Sequence, residues 1–259
     1  MEIKGKNIVV TGAGSGIGRA LVKKFIDEGA AQIIAADINA ANVQQTADDY
    51  GCIAKTANVA EEGDVARLIE ETESETGAID LFCSNAGIGM GPSEQSPNEE
   101  WQMSWDVNVM SHVYAARHLV PRMIARGGGY FMNTASAAGL LNQIGGASYG
   151  VTKHAAVGFG EWLALTYAHQ GIKVSMLCPQ AVRTAMTSDA EASKVAAIDG
   201  MMEPETLADS VVEGLAAESF LILPHGEVAQ YMRNKTDDYD RWIGGMNRLQ
   251  LKMFPPSAE

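Results

Sequence analysis

Tyr149 and Lys153 are the residues of this chain whose types and spacing most directly suggest chemistry. They stand four residues apart in residues 147–170, a stretch without proline whose length and apolar pattern predict one long helix. Side chains at positions i and i+4 share one face of a helix, so the ammonium and the phenol are predicted neighbours. A nearby ammonium lowers the pKa of a tyrosine, which would let the phenol exchange a proton near neutral pH. Taken alone, such a pair is more often an ordinary feature of a solvated helix face.

A glycine-rich segment, T-G-A-G-S-G-I-G at residues 11–18, follows an apolar stretch and opens an amphipathic one. Glycines permit a tight turn and a close approach of the backbone to a diphosphate, and the N-terminus of the next helix favours that anion. A plain glycine-rich turn is the alternative. The position between a predicted strand and a predicted helix is the context that a dinucleotide-binding loop requires, and we predict such a loop here.

Asp37 ends the second predicted strand, about 20 residues beyond the glycine loop. A carboxylate there can accept hydrogen bonds from both ribose hydroxyls and would repel a 2′-phosphate. Ser15 in the loop and Ile38 after the strand are not basic. These residues predict NAD rather than NADP as the cofactor. Capping of the next helix is the alternative role of Asp37, and it is compatible with ribose binding.

Strand-like and helix-like stretches alternate along the chain and would position these residues. Strands are predicted at residues 7–10, 32–36, 52–58, 79–84, 129–135, 172–178 and 220–223. Between the strands, helices are predicted at residues 17–28, 39–49, 61–75, 98–126 (with a kink or a new turn at Pro121) and 147–170. This alternation favours parallel strands joined by right-handed crossovers, with helices on both faces. The prediction is one doubly wound α/β domain over residues 1–259, ending in one helix and a loose tail at residues 226–259.

The order of the motifs resembles the short-chain dehydrogenase/reductase family over most of the chain. The resemblance rests on T-G-x-x-x-G-x-G at residues 11–18, N-A-G at Asn85, Ala86 and Gly87, Asn108, Ser136, and Y-x-x-x-K at Tyr149 and Lys153. It implies a Rossmann fold in a single domain with a small substrate lid, for which residues 185–202 are the candidate.

The resemblance also implies roles for individual residues. Tyr149 would be the general acid/base, and Lys153 would tune its pKa and hold the nicotinamide ribose. Ser136 would hydrogen-bond the substrate oxygen, and Asn108 would hold a water that relays protons from Lys153.

An NAD site is implied as well. Its predicted residues are Gly12, Ser15, Gly16, Ile17, Gly18, Asp37, Asn58, Val59, Asn85, Ala86, Gly87, Tyr149, Lys153, Pro179, Val182 and Thr184. Two positions depart from the family pattern. Asn58 stands where the family usually has aspartate, and its carbonyl can still accept a hydrogen bond from adenine. Gln180 stands where glycine usually follows Pro179, which changes how this loop bends and places an amide near the nicotinamide site.

Residues 89–92, 137–144 and 185–202 are expected to line the substrate pocket. The predicted substrate contacts are Ser136, Leu140, Ile144, Tyr149, Gln180 and Met186. These stretches are mostly apolar and poor in cations, which suits a neutral, hydrophobic secondary alcohol or ketone. Core packing is the more common role of any single methionine among them.

Composition narrows the partners further. The 259 residues carry a net charge of −13 without a basic cluster, which argues against nucleic acid and anionic membranes. No secretory leader is visible, and the three cysteines form no C-x-x-C or metal-ligand pattern, so we expect free thiols, no metal and a cytoplasmic location. The 147–170 helix is apolar on more than one side, which predicts a homodimer or homotetramer. The alternative is a C-terminal segment of the same chain that covers this helix.

The sequence therefore predicts an NAD-dependent dehydrogenase of secondary alcohols that equally reduces the corresponding ketones. An NADP-dependent carbonyl reductase is one alternative, which Asp37 opposes. A catalytically silent NAD-binding regulatory protein is another, which the presence of Ser136, Tyr149 and Lys153 opposes.

Overall fold

The computed structural model of the protein describes residues 1–187 and 195–255. Within these residues, seven parallel strands form one sheet in the order β3-β2-β1-β4-β5-β6-β7. The strands are β1 Asn7–Thr11, β2 Gln32–Asp37, β3 Ile53–Thr56, β4 Leu81–Ser84, β5 Gly129–Thr134, β6 Ile172–Leu177 and β7 Leu221–Ile222. The strand order reverses between β1 and β4, and a crevice opens beyond the carboxyl ends of strands at such a reversal. The doubly wound sheet predicted from the sequence is thereby confirmed.

Helices cover both faces of the sheet. They are α1 Gly16–Asp27, α2 Ala40–Tyr50, α3 Glu62–Thr76, α4 Asn98–Trp105, α5 Ser111–Ala125, α6 Ala138–Leu141, α7 Ala147–Tyr167, α8 Pro204–Ala216, α9 Glu227–Asp237 and α10 Tyr239–Met253. One face packs against α1 and α8, and the other packs against α3, α5 and α7. Burial on both faces explains the near-continuous apolar runs of the strands. No helix in the described part of the chain is both long and apolar enough to cross a membrane.

The predicted helix at residues 98–126 is divided in a way that the sequence analysis missed. A π-helical segment, Asp106–Met110, separates α4 from α5 and contains Asn108. Pro121 lies inside α5, which continues to Ala125, so no new helix begins at Pro121. Buried neighbours on both sides of the proline, among them Leu119 and Met123, hold this part of α5 against the sheet. Single π-helical turns within α-helices frequently occur at functional sites.

The C-terminal region also differs from the prediction. Instead of one helix, it contains α9 and α10, which meet at Asp238. The Asp238 side chain caps α10 by accepting a hydrogen bond of 2.9 Å from the Arg241 backbone N–H. Of the candidate lid at residues 185–202, residues 188–194 lie outside the described residues, as do residues 256–259 of the tail. The flanks of the lid segment are joined by a parallel bridge between Val182 and Met202.

Candidate active site

Tyr149 and Lys153 occupy the first two turns of α7, above the carboxyl end of β5. The Lys153 ammonium lies 5.6 Å from the centroid of the Tyr149 ring and donates a hydrogen bond of 3.1 Å to the backbone carbonyl of Thr134. Ser136 follows β5 closely, and its side chain hydrogen-bonds to Tyr149. The fold therefore brings Ser136, Tyr149 and Lys153 together from two separate segments of the chain.

Burial dominates the electrostatics of this group. It lowers the pKa of Lys153 to about 8, with the nearby Cys178 acting weakly in the opposite direction. Burial also raises the pKa of Tyr149, which the hydrogen bond with Ser136 partly opposes. The sequence analysis expected a lowered tyrosine pKa. The pKa shifts upward because the cost of removing the phenolate from water outweighs its favourable interactions with neighbouring groups. This holds even though part of the Tyr149 ring borders open cavities.

The side chain of Asn108 is buried and fully engaged between two elements. Its amide group donates hydrogen bonds to the Ile88 carbonyl (3.0 Å) and to the Thr152 hydroxyl (3.1 Å), and its oxygen accepts one from the Ile88 backbone N–H (2.9 Å). Asn108 thus joins the loop after β4 to α7. Gly87 separates it from Lys153: a Cβ atom on Gly87 would lie 3.1 Å from the Lys153 ammonium and 3.3 Å from the Asn108 oxygen. The water relay at Asn108 stays a prediction.

A cavity of about 620 Å³ runs along the carboxyl ends of the strands from the glycine loop to Lys153. All the residues that the sequence analysis assigned to NAD line it: Gly12, Ser15, Gly16, Ile17, Gly18, Asp37, Asn58, Val59, Asn85, Ala86, Gly87, Tyr149, Lys153, Pro179, Val182 and Thr184. The loop depends on its glycines. Gly12 has a φ of 67°, and a Cβ atom there would lie 2.8 Å from the Cα of Ala86. Gly16 has a φ of 49°, and its Cβ would lie 2.9 Å from the Thr184 methyl group.

The end of this cavity at β2 is acidic. Asp37 accepts hydrogen bonds of 2.9 Å from the backbone N–H groups of Gly14 and Asn39, which hold its carboxylate at the cavity wall. Asn39, rather than Asp37, caps α2. Lys153 is the one cationic side chain among the described residues that line this cavity. The glycine cradle and the single carboxylate fit a dinucleotide whose adenosine ribose carries free hydroxyls.

A second cavity of about 570 Å³ adjoins the first at Ser136 and Tyr149. Of the predicted substrate contacts, Ser136, Ile144, Tyr149, Gln180 and Met186 line it. Leu140 does not, because the short helix α6 turns it toward α9 and α10, where it packs near Tyr231 and Trp242. No charged side chain is found in the described part of its lining.

Gln250 and Phe254 are among the residues of this second cavity that sequence reasoning missed. Both belong to the C-terminal segment, which the sequence analysis described as a helix and tail without a role in the site. Helix α10 returns along the molecule and closes one side of the cavity with these residues. No motif or spacing in residues 239–254 indicates this contact, since it depends on how α9 and α10 pack.

Gln180, the departure from the family pattern after β6, is held firmly by its neighbours. Its side-chain amide donates a hydrogen bond of 3.1 Å to Asp199, which also accepts one of 3.0 Å from the Tyr231 hydroxyl. Its backbone N–H donates to the His225 ring at 3.2 Å. The glutamine therefore ties the loop after β6 to α9, and it borders both cavities.

A doubly wound parallel sheet with a glycine loop after its first strand defines the class of Rossmann-fold proteins. Residues 6–195 match the sequence profile of the family described as short chain dehydrogenase. The chain therefore belongs to the short-chain dehydrogenase family.

Its relatives include enzymes with defined substrates. The chain is 31% identical to 1-deoxy-11-beta-hydroxypentalenate dehydrogenase of Streptomyces exfoliatus, over 100% of this chain and 94% of the relative. It is 32% identical to cyclohexanol dehydrogenase of Acinetobacter sp. (strain SE19), over 81% of this chain and 87% of the relative. Among solved structures, a short chain dehydrogenase/reductase from Burkholderia phymatum in complex with NAD superposes with a TM-score of 0.86 at 27% identity, covering 93% of this chain and 96% of that chain. The family membership supports oxidoreductase chemistry on an alcohol or ketone.

Proposed function

We propose that this protein is an NAD-dependent dehydrogenase that interconverts a neutral, hydrophobic secondary alcohol and its ketone. The observation that supports this most directly is the position of Ser136 and Tyr149. They line both the glycine-loop cavity and the uncharged second cavity, so a substrate oxygen bound between them would face the cofactor. Lys153 lies beside them in the first cavity.

Each of these side chains has a defined task in alcohol oxidation. Ser136 donates a hydrogen bond to the substrate oxygen, and Tyr149 removes the hydroxyl proton. Because burial raises the pKa of Tyr149, the phenolate needs a nearby cation, and Lys153 with a pKa of about 8 is protonated at neutral pH. The bound nicotinamide supplies the acceptor of the hydride. In ketone reduction, Tyr149 returns the proton to the oxygen.

The choice of NAD rests on Asp37. Its carboxylate faces the cavity at the end where the adenosine ribose would bind, and two backbone N–H groups hold it there. An added 2′-phosphate would meet this negative charge without a cation to balance it in the described lining of this end of the cavity, because Lys153 lies at the other end of the binding path. The proposed preference is therefore for the unphosphorylated cofactor.

The substrate class follows from the second cavity. A volume of about 570 Å³, with apolar residues such as Met90, Ile144, Met186 and Phe254 in its wall, accommodates a bulky hydrophobic alcohol. Amide groups of Gln180 and Gln250 supply polar contacts without charge. A carboxylated or phosphorylated substrate would lack a cationic partner in the described lining.

The proposal is tested by NADH formation with a panel of secondary alcohols of increasing size: aliphatic, alicyclic, aryl and polycyclic. NADP is measured in parallel. We expect turnover of neutral alcohols with NAD and little or none with NADP. Tight NADH binding without turnover of any alcohol or ketone would favour a silent binding protein, and preference for NADP would contradict the role of Asp37.

We further propose a homo-oligomer, a dimer or a tetramer, in the cytoplasm. Val151, Ala155, Gly158, Trp162 and Leu165 follow one another at helical spacing along α7, and Leu165 is 85% exposed. In the described part of the chain, helices α9 and α10 pack near α6 instead and leave Val151, Trp162 and Leu165 exposed, which supports an oligomer over cover by the C-terminal segment. An exposed apolar stripe of this length suits a second copy of α7. Light scattering of the purified protein gives the mass that decides between monomer, dimer and tetramer.

A further inference from the structure

Five buried polar atoms without a hydrogen-bond partner among the described residues meet on one side of the sheet. They are the Ser84 hydroxyl, both ring nitrogens of His112, and the amide nitrogen and oxygen of Asn133. The three residues are exposed by 3%, 1% and 1%. Ser84 and Asn133 are register partners on β4 and β5, so their Cα atoms are adjacent.

The side chains of the three residues point into the same layer. Ser84 and Asn133 follow Phe82 and Phe131 by two positions and share their face of the sheet, which packs against α5 and α7. His112 lies in the first turn of α5, on the side of that helix that contains the buried Ala115 and Leu119. Helix α5 contacts both strands.

This polar group borders Lys153. Burial and, secondly, the charge of Lys153 lower the pKa of His112 to about 3. The Asn108 backbone carbonyl lies close enough to raise it slightly, although neither ring nitrogen has normal hydrogen-bond geometry to a described residue. Lys153 in turn donates to the carbonyl of Thr134, the residue next to Asn133. The imidazole is thus neutral at physiological pH and lies close enough to Lys153 to be affected by its charge.

Unpaired polar groups at this depth are rare in folded proteins. Each costs about 1–3 kcal/mol, and nearly all buried polar groups are paired with protein or ordered water. A neutral histidine offers one donor and one acceptor, asparagine offers two donors and an acceptor, and serine offers both kinds. A buried water that makes about three hydrogen bonds matches this combination.

We propose that Ser84, His112 and Asn133 enclose a buried water site beside Lys153, and that this water solvates the Lys153 ammonium from the core side. Lys153 otherwise faces Tyr149 on its own helix, Cys178 after β6 and His112 on α5. Ser84, His112 and Asn133 are therefore positioning residues, which act on the reaction through Lys153. The kinetic consequence rests on the proposed dehydrogenase function, whereas the water site itself does not.

The first test is a high-resolution crystal structure of the wild-type protein. We expect ordered water within hydrogen-bond distance of the His112 ring and of the Asn133 amide group. A dry, fully packed contact between these side chains would overturn the proposal.

The second test compares the variants His112→Leu and Ser84→Ala with Thr72→Val. Thr72 is a matched control, because its buried hydroxyl also lacks a partner among the described residues but lies on α3. Loss of the water removes solvation of the ammonium, so in His112→Leu the alkaline limb of the pH–rate profile moves to lower pH, by about one unit. Ser84→Ala shifts the alkaline limb in the same direction by a smaller amount, and Thr72→Val leaves the alkaline limb unchanged.

The opposite outcome is equally defined. If His112→Leu raises the melting temperature and leaves the alkaline limb of the pH–rate profile unchanged, the wild-type imidazole is buried without a water partner and the proposal fails. If the wild type turns over no alcohol, the proposed function fails, and the pH dependence of NADH binding in the same variants, followed by fluorescence, replaces the kinetic profile. If His112→Leu does not fold, the proposal is tested with Ser84→Ala, which removes only one hydroxyl, by the same shift of the alkaline limb.

Discussion

The two cavities that meet at Tyr149 are built in different ways. The first is formed by the ends of strands and by the loops that directly follow them, from Gly12 after β1 to Thr184 beyond β6. The second is formed by segments far apart in the chain, with Gly89 and Met90 on one side and Gln250 and Phe254 from the C-terminal region on another. Regular secondary structure holds the first cavity in place, whereas loops and helix packing shape the second. The fold itself therefore fixes the geometry of the first cavity. The shape of the second cavity depends on loops, which can differ without a change of fold.

Replacement of Tyr149 by phenylalanine is expected to have the largest effect, because this residue belongs to both cavities. Tyr149→Phe removes the proton acceptor and keeps the ring, so turnover should fall by roughly 10²–10⁴-fold. Steady-state NADH formation measures the loss, and NADH titration checks that the affinity for the cofactor is retained. Near-normal turnover would show that another group exchanges the proton.

Replacement of Gly12 by alanine should disable the first cavity alone. The new methyl group would lie 2.8 Å from the Ala86 backbone, so the loop must shift and NADH binding should weaken by roughly 100-fold or more. Gly5→Ala is the matched control, since Gly5 has a similar φ of 74° but open space around it. The control should lose about 1–2 kcal/mol of unfolding free energy and keep its NADH affinity. Equal NADH affinities in the two variants would contradict the role of the loop.

Replacement of Phe254 by alanine should affect the second cavity alone. Loss of an apolar contact should reduce kcat/KM for a well-fitting alcohol by roughly 10- to 100-fold, with NADH affinity unchanged. Larger alcohols should lose less than small ones, because the cavity gains room. Leu251→Ala is the control, as Leu251 is exposed near the end of α10 and does not line the cavity. If both variants behave alike, α10 does not form part of the substrate site.

Replacement of Asp37 by alanine should change only the preference between NAD and NADP in the first cavity. A hydrogen bond to a charged group contributes about 1.5–3 kcal/mol, so the preference for NAD over NADP should narrow by roughly 10- to 100-fold. Asp48→Ala changes the net charge equally on an exposed part of α2 and serves as the control. An unchanged NAD/NADP ratio of kcat/KM in Asp37→Ala would show that another residue reads the ribose.

Sequence reasoning succeeded where a local pattern directly produces local geometry. The glycine loop, Asp37 and the Tyr149–Lys153 spacing all lie next to strand ends or on one helix, so their positions follow from periodicity and strand order. It failed at Leu140, where a single helical turn redirects the side chain, and at Asn108, where a π-helical segment replaces the expected regular helix. These deviations arise from packing between elements, which a pattern within one element does not encode.

The sequence by itself determined the doubly wound fold, because alternating apolar strands and helices leave few possible topologies, and its resemblance to a known family indicated the cofactor cavity and the Ser136, Tyr149 and Lys153 group. Only the tertiary structure decided that α10 brings Gln250 and Phe254 to the substrate cavity and that burial raises rather than lowers the pKa of Tyr149. It also left polar atoms of Ser84, His112 and Asn133 buried without partners among the described residues. The physical reason is that burial and long-range contacts depend on which elements pack together, and desolvation, unlike spacing, exists only in the packed molecule.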